Sequence, residues 1–529
     1  MLKNFIFAGF LLGAISLYGA DDDIFTDAEI EVDPSIQDDF SSIEDTSVAP
    51  QNFILESYES FGERGLPREE KSISILAANE TIARAFHLSL MPQGHFVVWK
   101  FKGHLGLALR FPTYDNINFS SRGLRNKGFV DGETFITPRE SDYRSFFDAQ
   151  KLMRRLMIGE SSEPFSMQFE REHVYSLGQG DLMKEMSTDG LYDQDYLFGR
   201  AQAVFDYAQI NAVVGPIIKA EILGLNARFM PFTSLSVAPF VRDINFDVTY
   251  VGDYFAPNQV RLIDDSFVLD EEMRLLERQK GTAQALSAAF ASKWVPLHWL
   301  SLKPYFAYSH LFLTDPDSYG AGVSLGHDLA FYFGHKQTDS SLIFKSEGRL
   351  FSQAYQPSYF GDNYMLDRQI LVENTSMPIT KSQFIYNDQN ISFRYGYLFE
   401  LAYFLNKIFN TKVSYENARF ISTNNPMAGG RKLRLLAGLL GQQKLRFQAA
   451  YQATSIGAMR EVFNFSKSRG LLALKGQFQV MPYLYLDAWV KHAFGLKDIY
   501  QTEDPQWLSS AAETRSLNVG LGLELAMAF

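Results

Sequence analysis

The last fourteen residues, 516–529, alternate strictly between apolar side chains and small or polar ones. The apolar positions are Leu517, Val519, Leu521, Leu523, Leu525, Met527 and Phe529. A period of two places successive side chains on opposite faces of a β-strand, whereas a helix needs a period near 3.6. The pattern therefore predicts a C-terminal strand with one wholly apolar face.

The same alternation recurs upstream, at 393–403, 444–452 and 472–480. The runs are about ten residues long, the length that a tilted strand needs to cross a bilayer, whereas the commonest soluble strands have about five or six. Their polar faces carry Lys, Arg and Glu at mid-strand, and aromatic clusters such as 331–333 stand near predicted strand ends. Because a bilayer core cannot satisfy an open sheet edge, strands that cross it must close into a barrel.

The N-terminal residues 1–20 contain one lysine, then an apolar run, then small residues before an acidic stretch, which is the order of regions in a secretory signal peptide. A signal peptide, many alternating strands and a final strand that ends in Phe529 together resemble the Gram-negative outer-membrane β-barrels. In that class, a terminal strand such as Leu523, Leu525, Met527 and Phe529 resembles the signal that the barrel-assembly machinery reads. The resemblance is to the porin-like class and identifies no specific family.

The sequence predicts an all-β chain, a transmembrane antiparallel up-and-down β-barrel of about 16 to 18 strands over residues 95–529. Nineteen stretches qualify as strands, including 165–176, 217–230 and 234–242, and bacterial barrels favour an even number. Residues 50–94 form an N-terminal segment whose stretch 72–90 is open between helix and strand, with a small hatch as one alternative. Residues 21–49 hold eleven acids and no base, and we expect a disordered periplasmic tail there.

Charged residues on the polar faces of the C-terminal strands are predicted to face the lumen. The predicted basic wall comprises Lys345, Arg349, Arg394, Lys412, Lys432, Arg434, Lys444, Arg446 and Lys475. The predicted lumen-facing acids are Glu347, Glu400, Glu416, Asp487 and Glu524. Two interpretations stay open: the basic excess lowers the barrier for anions in a narrow pore, or the charges pair with one another across strands.

Composition excludes several classes of function. The chain has no Cys, which excludes disulfides and thiolate metal sites, and its 49 Lys+Arg against 61 Asp+Glu exclude the basic excess of a nucleic-acid binder. No cofactor and no metal site are predicted. Ser324, His327, Asp328 and His335 are the only candidates for an outer-membrane hydrolase, but neighbouring residues on a strand project to opposite faces, so His327 and Asp328 cannot pair. We therefore expect no enzyme, with an outer-membrane hydrolase as the remaining alternative.

The expected function is a channel for passive diffusion of small hydrophilic solutes, with a slight preference for anions. The long stretch 112–150 is the expected constriction. Two alternatives remain: a closed structural or adhesive barrel, and a channel for hydrophobic substrates with an N-terminal hatch. The resemblance implies outer-membrane lipid and lipopolysaccharide as surroundings, the assembly machinery as a partner during biogenesis, and homo-oligomers as a state that such barrels adopt.

Overall fold

The computed structural model describes residues 72–82, 85–114, 152–159, 163–171, 174–187, 197–235, 237–260, 262–263, 266–267, 277–313, 319–333, 340–352, 355–361, 364, 381, 393–405, 408–420, 431–441, 445–456, 469–494 and 517–528. The predicted signal peptide and acidic tail lie outside these residues. No helix in the described ranges is long and apolar enough to span a membrane.

The described chain is built almost wholly from β-strands. The first strands are β1 (Ser72–Ile82), β2 (Ala85–Val98), β3 (Phe101–Gly106), β4 (Leu109–Tyr114), β5 (Met153–Ile158), β6 (Phe165–Glu170), β7 (Val174–Leu177), β8 (Met183–Ser187) and β9 (Phe198–Phe205). The middle elements are β10 (Ala208–Gly215), β11 (Ile222–Phe229), the short helix α1 (Pro239–Arg242), β12 (Asn245–Val260), β13 (Leu262–Ile263), β14 (Ser266–Phe267), β15 (Glu277–Ala291), β16 (Trp294–Leu297), β17 (Leu300–Leu313), β18 (Tyr319–Phe333) and β19 (Ser340–Ser352). The last strands are β20 (Phe360–Gly361), β21 (Phe393–Leu405), β22 (Phe409–Phe420), β23 (Arg431–Gly441), β24 (Leu445–Ile456), β25 (Arg469–Met481), β26 (Leu484–Phe494) and β27 (Leu517–Ala528).

Twenty-two of these strand segments form one closed antiparallel sheet. Segments β3 and β4 both pair with β2, and β15 and β16 both pair with β17, so each of these two pairs of segments is one interrupted strand. The last strand, β27, pairs with β1 along its whole length, from Ser72 opposite Ala528 to Ile82 opposite Asn518. The result is a closed barrel of twenty strands.

The all-β barrel predicted from the alternation is confirmed, but its strand count of 16 to 18 is too low. Residues 72–98 supply two wall strands, β1 and β2, and they include the stretch 72–90 that the sequence left open between helix and strand. The predicted strand 217–230 is preceded by a separate strand, β10, whose apolar residues alternate only weakly. The predicted strand 234–242 is instead a link that contains α1, and Pro239 begins that helix.

The two faces of the barrel differ as the alternation predicts. Along β11, buried and exposed residues alternate without exception, with Asn226 and Arg228 inside and Leu225 and Phe229 outside. The outward-facing side chains are apolar, a surface that suits lipid rather than water. Exposed aromatic residues ring the barrel near one end: Trp99, Phe205, Phe229, Phe246, Phe290, Trp294, Trp299, Phe333 and Tyr483.

That end, the short-turn end, also carries Ser72 and Ala528. Its links include 99–100, 206–207, 298–299 and 482–483, each only two residues long. The opposite end, the long-loop end, carries the long links 115–152, 171–197, 353–392 and 495–516. This asymmetry is typical of outer-membrane barrels, in which short turns face the periplasm.

Candidate functional site

Residues 174–187, here called the lumen hairpin, leave the wall after β6 and fold into the barrel. Its strands β7 and β8 pair with each other, and β8 also pairs in parallel with β20 from a second inserted segment, 355–361. The turn between β7 and β8 has two residues in the left-handed region, Gly178 at φ +61° and Gly180 at φ +84°. Glycine adopts this conformation without the steric cost that other residues incur.

An apolar side of the lumen hairpin packs against the inner wall. Tyr175 stacks on Phe198 of β9, with ring centroids 5.7 Å apart. The second inserted segment extends this packing, because the Phe360 ring lies 4.8 Å from the Tyr364 ring and the Tyr364 hydroxyl donates to Asp253 Oδ2 at 2.7 Å. The fully buried apolar residues of the hairpin are Tyr175, Leu177, Leu182, Met183 and Met186. This core fixes the hairpin to the wall from β9 to β19.

Polar contacts hold the tip of the lumen hairpin. Gln179 Nε2 donates to Asp247 Oδ2 at 2.8 Å, and Lys345 Nζ donates to the Gln179 carbonyl at 3.3 Å. The Ser309 hydroxyl donates to the Asp181 carboxylate. Burial is the main reason why the pKa of Asp181 is raised above its ordinary value. The tip therefore depends on hydrogen bonds from β12, β17 and β19.

The other side of the lumen hairpin is charged and meets β21 to β23. Lys184 Nζ lies 2.8 Å from Glu400 Oε1, and Lys412 Nζ lies 3.3 Å from the same oxygen. Lys412 and Arg434 also bind Glu185, one to each carboxylate oxygen. Burial lowers the pKa of Lys184 to about 8, although Glu400 acts in the opposite direction. Four buried charged groups and the half-buried Lys184 thus form one connected network, here called the hairpin network.

A second set of ion pairs joins wall strands to one another. Arg349 binds Glu347 and lies 3.2 Å from Glu416 Oε1, which also lies 3.8 Å from Lys432 Nζ. Lys345 lies 3.9 Å from Asp328. The centroid of the His327 ring lies instead 6.2 Å from the centroid of the Phe344 ring. Phe344 and Lys345 are neighbours on β19 and face opposite sides of the sheet, so His327 and Asp328 also project to opposite sides.

Eleven of the predicted lumen residues are buried in the structure: Lys345, Arg349, Arg394, Lys412, Arg434, Lys475, Glu347, Glu400, Glu416, Asp487 and Glu524. Lys432 and Arg446 are half-buried, and Lys444 lies outside the described residues. Leu523, Leu525 and Met527 are exposed on the outer face, and Phe529 is outside the described residues, so their role as an assembly signal stays a prediction.

Sequence reasoning missed the residues that the lumen hairpin contributes, Asp181, Lys184 and Glu185. The signal that was available is the turn motif Gly178-Gln179-Gly180 between two short apolar runs. The expected constriction at 112–150 lies mostly outside the described residues. Among the described residues, the lumen contains the hairpin and the inserted segment 355–361.

Closed strand pairing, an apolar outer face and a charged inner face decide the class of fold. The fold is that of the porin-like outer-membrane β-barrels. In this barrel, five of the nine predicted wall bases, together with Lys184 of the hairpin, are joined to five acids by the described ion pairs of the two sets. These charged side chains therefore pair with one another across strands and with the hairpin.

No protein-family model and no curated protein match the sequence. Similar solved structures include CdiB from Acinetobacter baumannii, at 8% identity and a TM-score of 0.26, covering 87% of this chain and 60% of CdiB. OccK11 (OpdR) from Pseudomonas aeruginosa has 8% identity and a TM-score of 0.31, covering 87% of this chain and 95% of that one. A variant of the ferric enterobactin receptor PfeA from Pseudomonas aeruginosa has 9% identity and a TM-score of 0.33, covering 88% and 81%. At these scores the matches carry no argument about solute or mechanism, and the class rests on the barrel's own geometry.

Proposed function

We propose that the protein is an outer-membrane channel through which small hydrophilic solutes diffuse passively. The observation that carries this proposal is the inner face of the barrel, where charged and polar side chains line strand after strand while the outer face is apolar. A polar inner face is typical of outer-membrane barrels, in which it lines a water-filled channel in porins and a plugged lumen in others. The signal peptide predicted at residues 1–20 supports export to the outer membrane, with the short-turn end towards the periplasm.

The lumen hairpin is the proposed constriction. It contacts inner-facing residues from β9 to β23, which span more than half of the twenty strands. An element fixed across that much of the wall reduces the cross-section and sets the size of solute that passes. We propose that solutes move between the lumen hairpin and the strands that it does not contact.

The near balance of charge around the lumen hairpin bears on selectivity. Six bases against five acids leave a single excess positive charge in the ion pairs of this region. Field focusing in a narrow pore acts on this net charge. We therefore propose a slight preference for anions and no strong selectivity.

A closed structural or adhesive barrel is the second candidate, favoured by the apolar core that the lumen hairpin and the segment 355–361 build inside the wall. Residues 72–94 lie in the wall, so a hatch for hydrophobic substrates would have to come from residues 50–71, outside the described residues.

Liposome swelling distinguishes the channel from the closed barrel. Folded, heat-modifiable protein is reconstituted and exposed to an isotonic mono-, di- or trisaccharide, with protein-free liposomes as the control. The channel predicts swelling rates that fall steeply with sugar size. Absence of swelling with the smallest sugar would reject the channel and favour the closed barrel. A salt gradient across a planar bilayer then gives the sign of selectivity.

A further inference from the structure

The Glu185 carboxylate occupies a site made by two bases of the wall. Lys412 Nζ donates to Oε1 and Arg434 Nη1 donates to Oε2, so each carboxylate oxygen has its own cation. The two bases stand on neighbouring strands, β22 and β23, and both face the lumen: Ser414 is opposite Arg434, two residues from Lys412. The exposed fractions are 3% for Lys412, 6% for Arg434 and 4% for Glu185. Two converging cations in a buried position form a strong receptor for a carboxylate.

Glu185 itself is not a residue of the wall. It belongs to the lumen hairpin and lies 227 residues before Lys412 and 249 before Arg434 in the sequence. Its backbone is in the left-handed region, at φ +51°, where residues other than glycine are uncommon. Such a conformation persists only where its surroundings hold it.

This backbone conformation has a consequence for side-chain direction. Neighbouring residues of a regular strand point to opposite faces. Here the adjacent Lys184 and Glu185 both reach the same stretch of wall, Lys184 to Glu400 and Glu185 to Lys412 and Arg434. The flanking Met183 and Met186 both enter the apolar core. The unusual backbone thus delivers one carboxylate to a pair of bases that is already placed on the wall.

We propose that Lys412 and Arg434 form a binding site for carboxylate-bearing solutes, and that Glu185 is its built-in competing ligand. The inference rests on the proposed channel function for the route by which a solute arrives. A free carboxylate that takes the two bases displaces Glu185 and loosens the charged side of the lumen hairpin. Because a tethered ligand acts at an effective concentration in the millimolar range or above, the free solute must be abundant to compete.

The charge of the hairpin network agrees with a carboxylate as the ligand. With Glu185 in place, three bases face two acids. Loss of the Glu185 charge removes one of the two acids of this network, and a bound monocarboxylate restores the original balance. The site is therefore expected to take a monoanion with two equivalent oxygens in preference to a neutral amide of the same shape.

The test is titration of the full chain, refolded in detergent micelles, with propionate labelled with ¹³C at the carboxylate. Binding is followed by broadening of the carboxylate NMR signal. In the Glu185→Gln variant we expect saturable binding at least tenfold tighter than in the wild type. Adding Arg434→Gln to that variant should weaken binding at least tenfold. The matched control Glu524→Gln, which removes a buried inner-face carboxylate on β27, should behave like the wild type, and propionamide should bind none of them.

Equal binding by Glu185→Gln and the wild type would overturn the proposal, as would undiminished binding after Arg434→Gln. If Glu185→Gln does not refold, the wild type still gives an answer. Proteinase K should cleave the lumen hairpin at least twofold faster in propionate than in chloride of the same ionic strength, and equal rates would overturn the proposal. Binding in micelles does not require conduction, so the two proposals can fail separately. A barrel that binds propionate but passes no solute would reject the channel and keep this site. A barrel that passes solutes but does not bind propionate would reject only the site.

Discussion

At the scale of single residues, the tip of the lumen hairpin depends on two glycines in different environments. Gly178 lies against the wall, where an added Cβ would be 2.3 Å from Thr249 Oγ1. Thr249 cannot easily retreat, because it is buried and its Oγ1 accepts a hydrogen bond from Asn226 Nδ2 at 2.9 Å. At Gly180 an added Cβ would meet Lys184 Cγ at 3.4 Å, an ordinary contact. Alanine at Gly180 would therefore introduce backbone strain alone, whereas alanine at Gly178 would add a steric clash.

We expect Gly178→Ala to undock the lumen hairpin much more than Gly180→Ala does. A left-handed backbone costs a non-glycine residue about 1 kcal/mol, which corresponds to roughly a fivefold larger undocked population for Gly180→Ala. The additional clash brings Gly178→Ala to about 2–4 kcal/mol, or at least about thirtyfold. The rate of proteinase K cleavage within 174–187 measures this population when opening is fast. Similar rates for the two variants would show that the tip does not lie against Thr249.

At the scale of elements, the docking of the lumen hairpin should depend on pH through Lys184. The pKa of Lys184 is about 8 in the docked hairpin, against an ordinary value of 10.5. Between these values the undocked state, with Lys184 in water, holds more protons than the docked state, so raising the pH favours docking. Asp181 acts in the opposite direction: its pKa is raised, so docking weakens as the pH rises from 3.8 through its docked pKa.

From pH 7.5 to 9.5 we therefore expect docking to strengthen by about 1–2 kcal/mol. Cleavage of the lumen hairpin by proteinase K, corrected for the pH profile of the protease on a free peptide, should slow by about five- to thirtyfold. Lys184→Met should remove this alkaline dependence. Faster cleavage at pH 9.5 than at pH 7.5 in the wild type would contradict the account.

The sequence predicts the wall elements better than the inserted one, for a physical reason. A period of two follows from the pleat alone, so it identified the strands near the C-terminus and the inner-facing positions of Lys345, Glu400 and Lys412. The same period also continues from 165 to 177, where the wall strand ends at Glu170 and the chain then enters the lumen as β7. Alternation is present in the wall strand and in the inserted strand alike, so it cannot distinguish one from the other.

The partners of the charged residues could not be predicted from the sequence, for a related reason. Glu185 meets bases more than 220 residues away, and no local pattern encodes such a pair. The strand count failed where the signal was weak, as in β1, whose small residues Ala77 and Ala78 leave the two faces poorly distinguished. The apolar face of the last strand, in contrast, is found on the outside as predicted, with Leu523, Leu525 and Met527 exposed.

At the scale of the whole molecule, the barrel and the lumen hairpin are separable. The twenty wall strands close through β1 and β27 without any pairing to β7, β8 or β20. The hairpin adds contacts inside a wall whose described strands pair into a closed sheet without it. We therefore expect the barrel to fold when residues 174–187 are replaced by a short Gly-Ser linker.

Single-channel conductance in a planar bilayer, compared between the full chain and this hairpin-deleted variant, tests the account most directly. A variant with the 421–430 link shortened at the same end of the barrel serves as the control. The account predicts discrete steps for the full chain, an unchanged step size for the control, and steps several times larger for the hairpin-deleted variant, because a wider lumen conducts more ions. Equal steps with and without the hairpin, or no conductance from either folded protein, would contradict it.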